Sequence, residues 1–129
     1  MSKQAIRPQG ISNAPGYSHA VIKAGTPVFI SGQVAQDASG AIVGVGDIAV
    51  QAAQVMRNLR TVVNACGGSM DDIVKITVFA TDIAYRPALA AARTKTFRAG
   101  FMPASTFLVV SSLADPRFLV EIEAVAMID

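Results

Sequence analysis

Apolar and polar positions alternate most sharply over residues 119–126, LVEIEAVA. Val120, Ile122, Ala124 and Ala126 fall on one side of an extended chain; Leu119, Glu121, Glu123 and Val125 fall on the other. An extended run over residues 104–110 precedes it, across a turn at Asp115-Pro116. Residues 73–80 also alternate, with Val74, Ile76, Val78 and Ala80 as the apolar side. Residues 19–23 and 28–33 read as two further strands, and Ala24-Gly25-Thr26-Pro27 between them reads as a hairpin turn. Residues 1–16 read as an irregular polar arm, and residues 35–46 as a loop rich in Gly and Ala.

Elsewhere the period changes to that of a helix. Ile48, Ala52, Val55, Leu59, Val62 and Cys66 recur at spacings of four and three, one stripe of an amphipathic helix. Asp47 is placed to cap its start and Gly67-Gly68 to end it. The stripe assigns Cys66 to the core. A second helix is expected from Asp82 to about Arg98, with Pro87 in its first turn and Gly100 closing it. The order ββαβαββ predicts one α+β domain over residues 1–129, with two helices packed on one face of a mixed sheet.

The other sheet face is then Phe29, Ser31 and Gln33; Lys75, Thr77 and Phe79; Ser105, Phe107 and Val109; Glu121, Glu123 and Val125. It is too apolar for bulk water and too polar for a core, which suggests a subunit interface holding a ligand cleft. A half-wet face with ordinary ion pairs, such as Lys75 with a glutamate, is the plainer alternative. Two carboxylates within one apolar strand need a partner, water or a ligand, so Glu121 is the first candidate for chemistry, and Glu123 reads as structural.

Composition narrows this picture. The chain is 52% hydrophobic but only 6% aromatic, so much of its apolar character is Ala and Val, suited to close helix-on-sheet packing. A net charge of +2 does not imply nucleic acid, and the basic helix residues Arg57, Arg60, Arg93, Lys95 and Arg98 come without an aromatic stacking platform. One cysteine and one histidine provide neither a disulfide, a metal site nor a Cys-His dyad, so no cofactor or metal is expected. No run reaches the roughly 18 apolar residues of a membrane span, and the opening MSKQAIRPQG is not followed by the apolar stretch of a secretory leader. A soluble cytoplasmic protein is the expectation.

Four stretches carry a resemblance: PGYSHAV (15–21), VFISGQV (28–34), QVMRNLRTVVNACGGSMDDIVKITVFATDI (54–83) and MPAST…LVEIEAVA (102–126). In order and spacing they resemble the RidA family, also called the YjgF or reactive-intermediate deaminase family. The resemblance implies chorismate-mutase-like subunits in a homotrimer, with three small-molecule clefts between subunits. It also implies hydrolysis of 2-imino or enamine acids to 2-oxo acids and ammonia. In active members an arginine of a P-A-R motif grips the substrate carboxylate, and a glutamate on the last strand orients water. That glutamate corresponds to Glu121. The cleft-lining tyrosine and serine correspond to Tyr17 and Ser31.

The arginine is absent: Pro103-Ala104 is followed by Ser105, and the cysteine two positions on is Phe107. An asparagine on the second helix of some active members aligns with Ala90. A guanidinium holds a carboxylate with two charge-assisted hydrogen bonds, and a serine offers one neutral donor. Losing such a contact costs about 2–5 kcal/mol, roughly 30- to several-thousand-fold in affinity or rate. Arg93, Arg86 or Arg117 are candidates for a replacement charge, Arg93 first. Classical 2-imino acid hydrolysis is therefore expected to be weak. A divergent hydrolase and a non-catalytic trimer that binds a metabolite in the same clefts both remain open.

Overall fold

In the computed structural model, which describes residues 3–129, a four-stranded sheet carries two helices on one face. The elements are β1 (Gln4–Ile6), β2 (Ala20–Ile22), β3 (Thr26–Gln33), α1 (Ile48–Ala65), β4 (Ile73–Ala80), α2 (Arg86–Thr96), β5 (Ala104–Val109) and β6 (Val120–Ile128). The sheet order is β3-β6-β4-β5. β6 runs antiparallel to both β3 and β4, and β5 runs parallel to β4, which makes the sheet mixed.

The expected hairpin between β2 and β3 does not form. β2 instead pairs with β1, which lies inside the stretch read as an irregular arm, in a separate two-stranded sheet. Thr26 and Pro27 belong to β3, opposite Ile128 and Met127. β3 is an edge strand, where the missing N–H of a proline is tolerated.

Helix α1 forms where its stripe and caps predict. The Asp47 carboxylate accepts from the Val50 N–H at 3.1 Å. At the far end Gly67 N–H reaches Asn64 O and Gly68 N–H reaches Val63 O, with Gly67 at φ +88°. These two bonds make a Schellman turn, which wants glycine at its left-handed position. Ala52, Val55, Leu59 and Val63 are buried against Ile30, Ile76, Val78, Ile122 and Ala124 of the sheet. Cys66 departs from expectation and is exposed. It is the last residue before the reversal, so the helical stripe no longer governs where it points.

Helix α2 is shorter than its pattern. Asp82 caps a single 3-10 turn, Ile83–Tyr85, by accepting from the Ala84 N–H at 2.9 Å, and the α-helix starts only at Arg86. Among its residues only Leu89 is buried. Alanine occupies positions 88, 90, 91 and 92, and side chains this small leave space between α2 and edge strand β5.

Register corrects the predicted faces. β4 and β5 pair as Ile76↔Ser105, Val78↔Phe107 and Ala80↔Val109. Ser105, Phe107 and Val109 therefore share the helix-covered face with buried Ile76, Val78 and Ala80, not the open face with Glu121. Sequence alternation gives the two sides of a strand but not which side meets the helices, and a one-residue shift exchanges them. A register shift between Ile30 and Gln33 likewise sets Gln33 opposite the buried Ile122. Another between Ile73 and Lys75 buries Ile73 in place of Val74. The open face comprises Phe29, Lys75, Thr77, Phe79, Thr106, Leu108, Glu121, Glu123 and Val125.

Candidate functional site

The space under α2 is a cavity of about 1200 Å3. Tyr17, Arg86, Ala90, Arg93, Ser105 and Phe107 line it over an apolar floor of Val78, Leu89 and Ile122. Four residues singled out from the sequence, Tyr17, Arg93, Ser105 and Phe107, thus meet in one place.

Tyr17 reaches the cavity because its neighbour is pinned. Ser18 is buried; its hydroxyl donates to Met102 O at 2.7 Å and its N–H donates to Pro103 O at 3.1 Å. This ties the 15–18 segment to the start of β5. Pattern alone does not reveal Ser18, since a lone serine beside a tyrosine carries no periodic signal. Arg93 lies across Tyr17, its Cζ 5.6 Å from the ring centre, and donates from Nη2 to Pro15 O at 3.4 Å. Its Nε is buried without a partner, as is the Ser105 hydroxyl. Burial pulls the Arg93 guanidinium below its ordinary pKa; Tyr17 opposes this and Arg86 adds to it. Two buried polar groups lining one cavity without protein partners are the mark of a site for a polar ligand.

Of the other replacement candidates, Arg86 lines the cavity with its Cζ 5.9 Å from the Phe107 ring centre. Arg117 does not. It is exposed and grips Asp115 in its own turn, Nε to Oδ1 at 3.0 Å and Nη2 to Oδ2 at 2.9 Å. The same hydrogen bonds hold the Asp115 carboxyl down at about 2.

Glu121 and Ser31 lie apart from these four. Glu121 pairs with Phe79 across β4 and so sits on the open face. A Cβ built on Gly32 would overlap the Glu121 carboxylate, so the absence of a side chain at Gly32 is what lets Glu121 lie across β3. Ser31 precedes Gly32 at the register shift and is exposed. Among the described residues neither Glu121 nor Glu123 has an ion-pair partner. Lys75 donates to the Thr106 hydroxyl at 2.6 Å and makes no ion pair with a glutamate. Burial lowers its pKa, with Glu123 opposing. The open face is also strongly apolar at one edge, where Phe29 is 79% exposed.

No group of three or more His, Cys, Asp or Glu side chains is arranged to hold a metal among the described residues. Among the described residues no helix is long and apolar enough to cross a membrane.

Residues 8–128 match the family model described as Endoribonuclease L-PSP. The chain belongs to the RidA (endoribonuclease L-PSP) family. Similar proteins cover most of it. Protein DfrA of Myxococcus xanthus is 35% identical over 98% of this chain and 97% of its own. A 2-iminobutanoate/2-iminopropanoate deaminase of Dermatophagoides farinae is 32% identical over 88% of this chain and 86% of its own. Among solved structures, the Rid-family protein YyfB of Yersinia pestis superposes with a TM-score of 0.93 at 32% identity, covering 99% of this chain and all of its own. RidA of an Antarctic Psychrobacter superposes at 0.74 with 30% identity, covering 97% and 94%.

Proposed function

We propose that this RidA-family protein is a divergent deaminase-type hydrolase, acting on an imine or enamine that carries a carboxylate. The observation that carries the reading is the pair of unpartnered buried donors, Arg93 Nε and Ser105 Oγ, in one cavity that no carboxylate side chain lines. Such a cavity favours an anionic, partly apolar metabolite. Arg93 takes over the carboxylate grip that Ser105 cannot supply, and the Ser105 hydroxyl adds a single neutral bond. The relative named as a 2-iminobutanoate/2-iminopropanoate deaminase supports this reaction class.

The water-directing carboxylate comes from a second copy of the chain. Glu121 stands on the opposite side of the sheet from the cavity, so one chain cannot bring both to one substrate. One face carries Glu121 and Glu123 and the other carries Arg86 and Arg93, none with an ion-pair partner among the described residues, so copies are complementary front to back. Such heterologous contacts close into rings, and the exposed Phe29 face provides apolar area to bury. A homotrimer with three intersubunit clefts satisfies this arrangement.

In that cleft Arg93 holds the substrate carboxylate. Glu121 accepts a proton from water as its oxygen bonds to the imine carbon, and the C=N π electrons move to nitrogen. The proton then passes to nitrogen of the resulting carbinolamine. The carbinolamine hydroxyl then gives its proton, by way of Glu121, to the amino nitrogen. An oxygen lone pair forms the C=O π bond as the C–N bond breaks, ammonia leaves and a 2-oxo acid remains, so one imine and one water give one 2-oxo acid and one ammonia. Hydrolysis of imines made in situ from amino acids, read as ammonia and 2-oxo acid above the buffer rate, tests the reading. No excess over buffer for any imine contradicts it.

A second reading has its own observation. Ser105 replaces the arginine of active members, so a trimer that binds a metabolite in these clefts without turning it over is the alternative. Binding of carboxylates by the wild type with no hydrolysis at any pH would select it.

A further inference from the structure

The cavity under α2 is built with two cationic forks rather than one. Arg86 and Arg93 stand seven residues apart on α2, two turns along one helix face, or roughly 10 Å along the axis. Each guanidinium lies against a different aromatic wall, Arg93 on Tyr17 and Arg86 on Phe107. Neither has an ion-pair partner among the described residues. Midway between them on the helix is Ala90, which leaves the space between the forks open. The floor beneath is apolar, formed by Val78, Leu89 and Ile122.

We infer that the cavity selects a dianionic substrate: an imine or enamine with a carboxylate at each end of a short carbon skeleton. This rests on the proposed function and names its substrate class. One carboxylate fills one guanidinium fork by two parallel hydrogen bonds, so a monocarboxylate leaves the other fork without a counter-charge. Two forks separated along a helix call for two separated carboxylates, and the apolar floor suits the methylenes that join them. A phosphate monoester also carries two charges, but on one head, and engages one fork.

The test is calorimetric binding of three stable probes to the full chain in its native assembly. Glutarate has a carboxylate at each end, butanoate has one, and methyl phosphate has both charges on one head. Glutarate is expected to bind at least about tenfold more tightly than butanoate, with methyl phosphate no better than butanoate. Arg86→Met should shrink the glutarate preference to within about twofold, and Arg86→Lys, which keeps the charge but not the fork, should retain part of it. Arg86 is exposed, so both variants are expected to fold, and their melting curves check this.

Equal binding of glutarate and butanoate, methyl phosphate matching glutarate, or a preference unchanged in Arg86→Met would each overturn the inference. Turnover separates it from the reading beneath it. If the imine of 2-aminobutanoate is hydrolysed as fast as the imine of glutamate, dianion selection is wrong and the hydrolase reading stands. If no carboxylate binds and neither imine is hydrolysed, both are wrong.

Discussion

The Glu121 carboxylate lies where the Cβ of any residue other than glycine at position 32 would stand. The candidate water-directing group is thus positioned by the absence of a side chain on the neighbouring strand. Gly32→Ala should push the carboxylate aside. The displaced atoms are the far end of a flexible side chain, so stability should change by no more than about 1–2 kcal/mol. Loss of a positioned general base costs about 10²–10⁴-fold, so ammonia release should fall at least tenfold, towards the level of Glu121→Gln. Activity retained in Gly32→Ala with Glu121 visibly displaced would remove Glu121 from the reaction.

Gln51 is a fully buried polar residue in α1 that joins three backbone segments. Its Nε2 donates to Gly44 O at 3.1 Å and Arg117 O at 2.8 Å, and its Oε1 accepts from the Leu119 N–H at 2.9 Å. Gln51→Ala removes the side-chain partners of Arg117 O and the Leu119 N–H, while Gly44 O keeps the Asp47 N–H. Urea unfolding should show a loss of about 2–4 kcal/mol.

Lys3 gives a pH signature. Its ammonium donates to Ile73 O at 2.8 Å and Phe101 O at 2.5 Å. Burial lowers its pKa from 10.5 to about 8, with Asp71 and Asp72 opposing. Between pH 8 and 10.5 the unfolded chain binds the Lys3 proton more fully than the folded one, so this group's contribution to stability rises with pH across that window. Chemical denaturation from pH 7 to 10.5 should show wild type gaining stability relative to Lys3→Met. A constant difference between the two would mean that Lys3 titrates as a free lysine.

Much of this architecture is legible in the sequence because it rests on local signals. The Asp47 cap, the Gly67-Gly68 turn and the alternation of β6 are each written in adjacent residues. What is not legible depends on long-range register. Nothing near Ser105 says that it will stand beside Ile76 rather than Lys75, and that one relationship moves Ser105 and Phe107 away from Glu121. The pairing of β2 with β1 instead of β3 has the same origin. Extending the helical stripe one residue beyond the helix, which ends at Ala65, assigns the exposed Cys66 to the core. The cavity was half legible: Tyr17, Arg93, Ser105 and Phe107 could be named, but not the anchor Ser18 or the double fork of Arg86 with Arg93.

The open sheet face predicts assembly. Light scattering at micromolar concentration should give about 40 kDa, three times the 13.4 kDa chain. Phe29 is 79% exposed on that face, so Phe29→Glu should yield monomers, and imine hydrolysis should be lost with the assembly. A wild-type monomer would leave Glu121 without a route to the cavity.

The most direct test is complementation between copies. Arg93→Met and Glu121→Gln chains are assayed separately for ammonia and 2-oxo acid release, then unfolded, mixed in equal amounts and refolded together. If each cleft takes its guanidinium from one copy and its carboxylate from the next, both pure variants lose the hydrolysis seen in the wild type. Random mixing in a closed ring then makes about a quarter of the clefts intact. The account predicts that the mixture recovers about that fraction of wild-type activity. A mixture as inactive as its two components, with wild type active and mixed assemblies formed, would contradict a cleft shared between the Arg93 face of one copy and the Glu121 face of another.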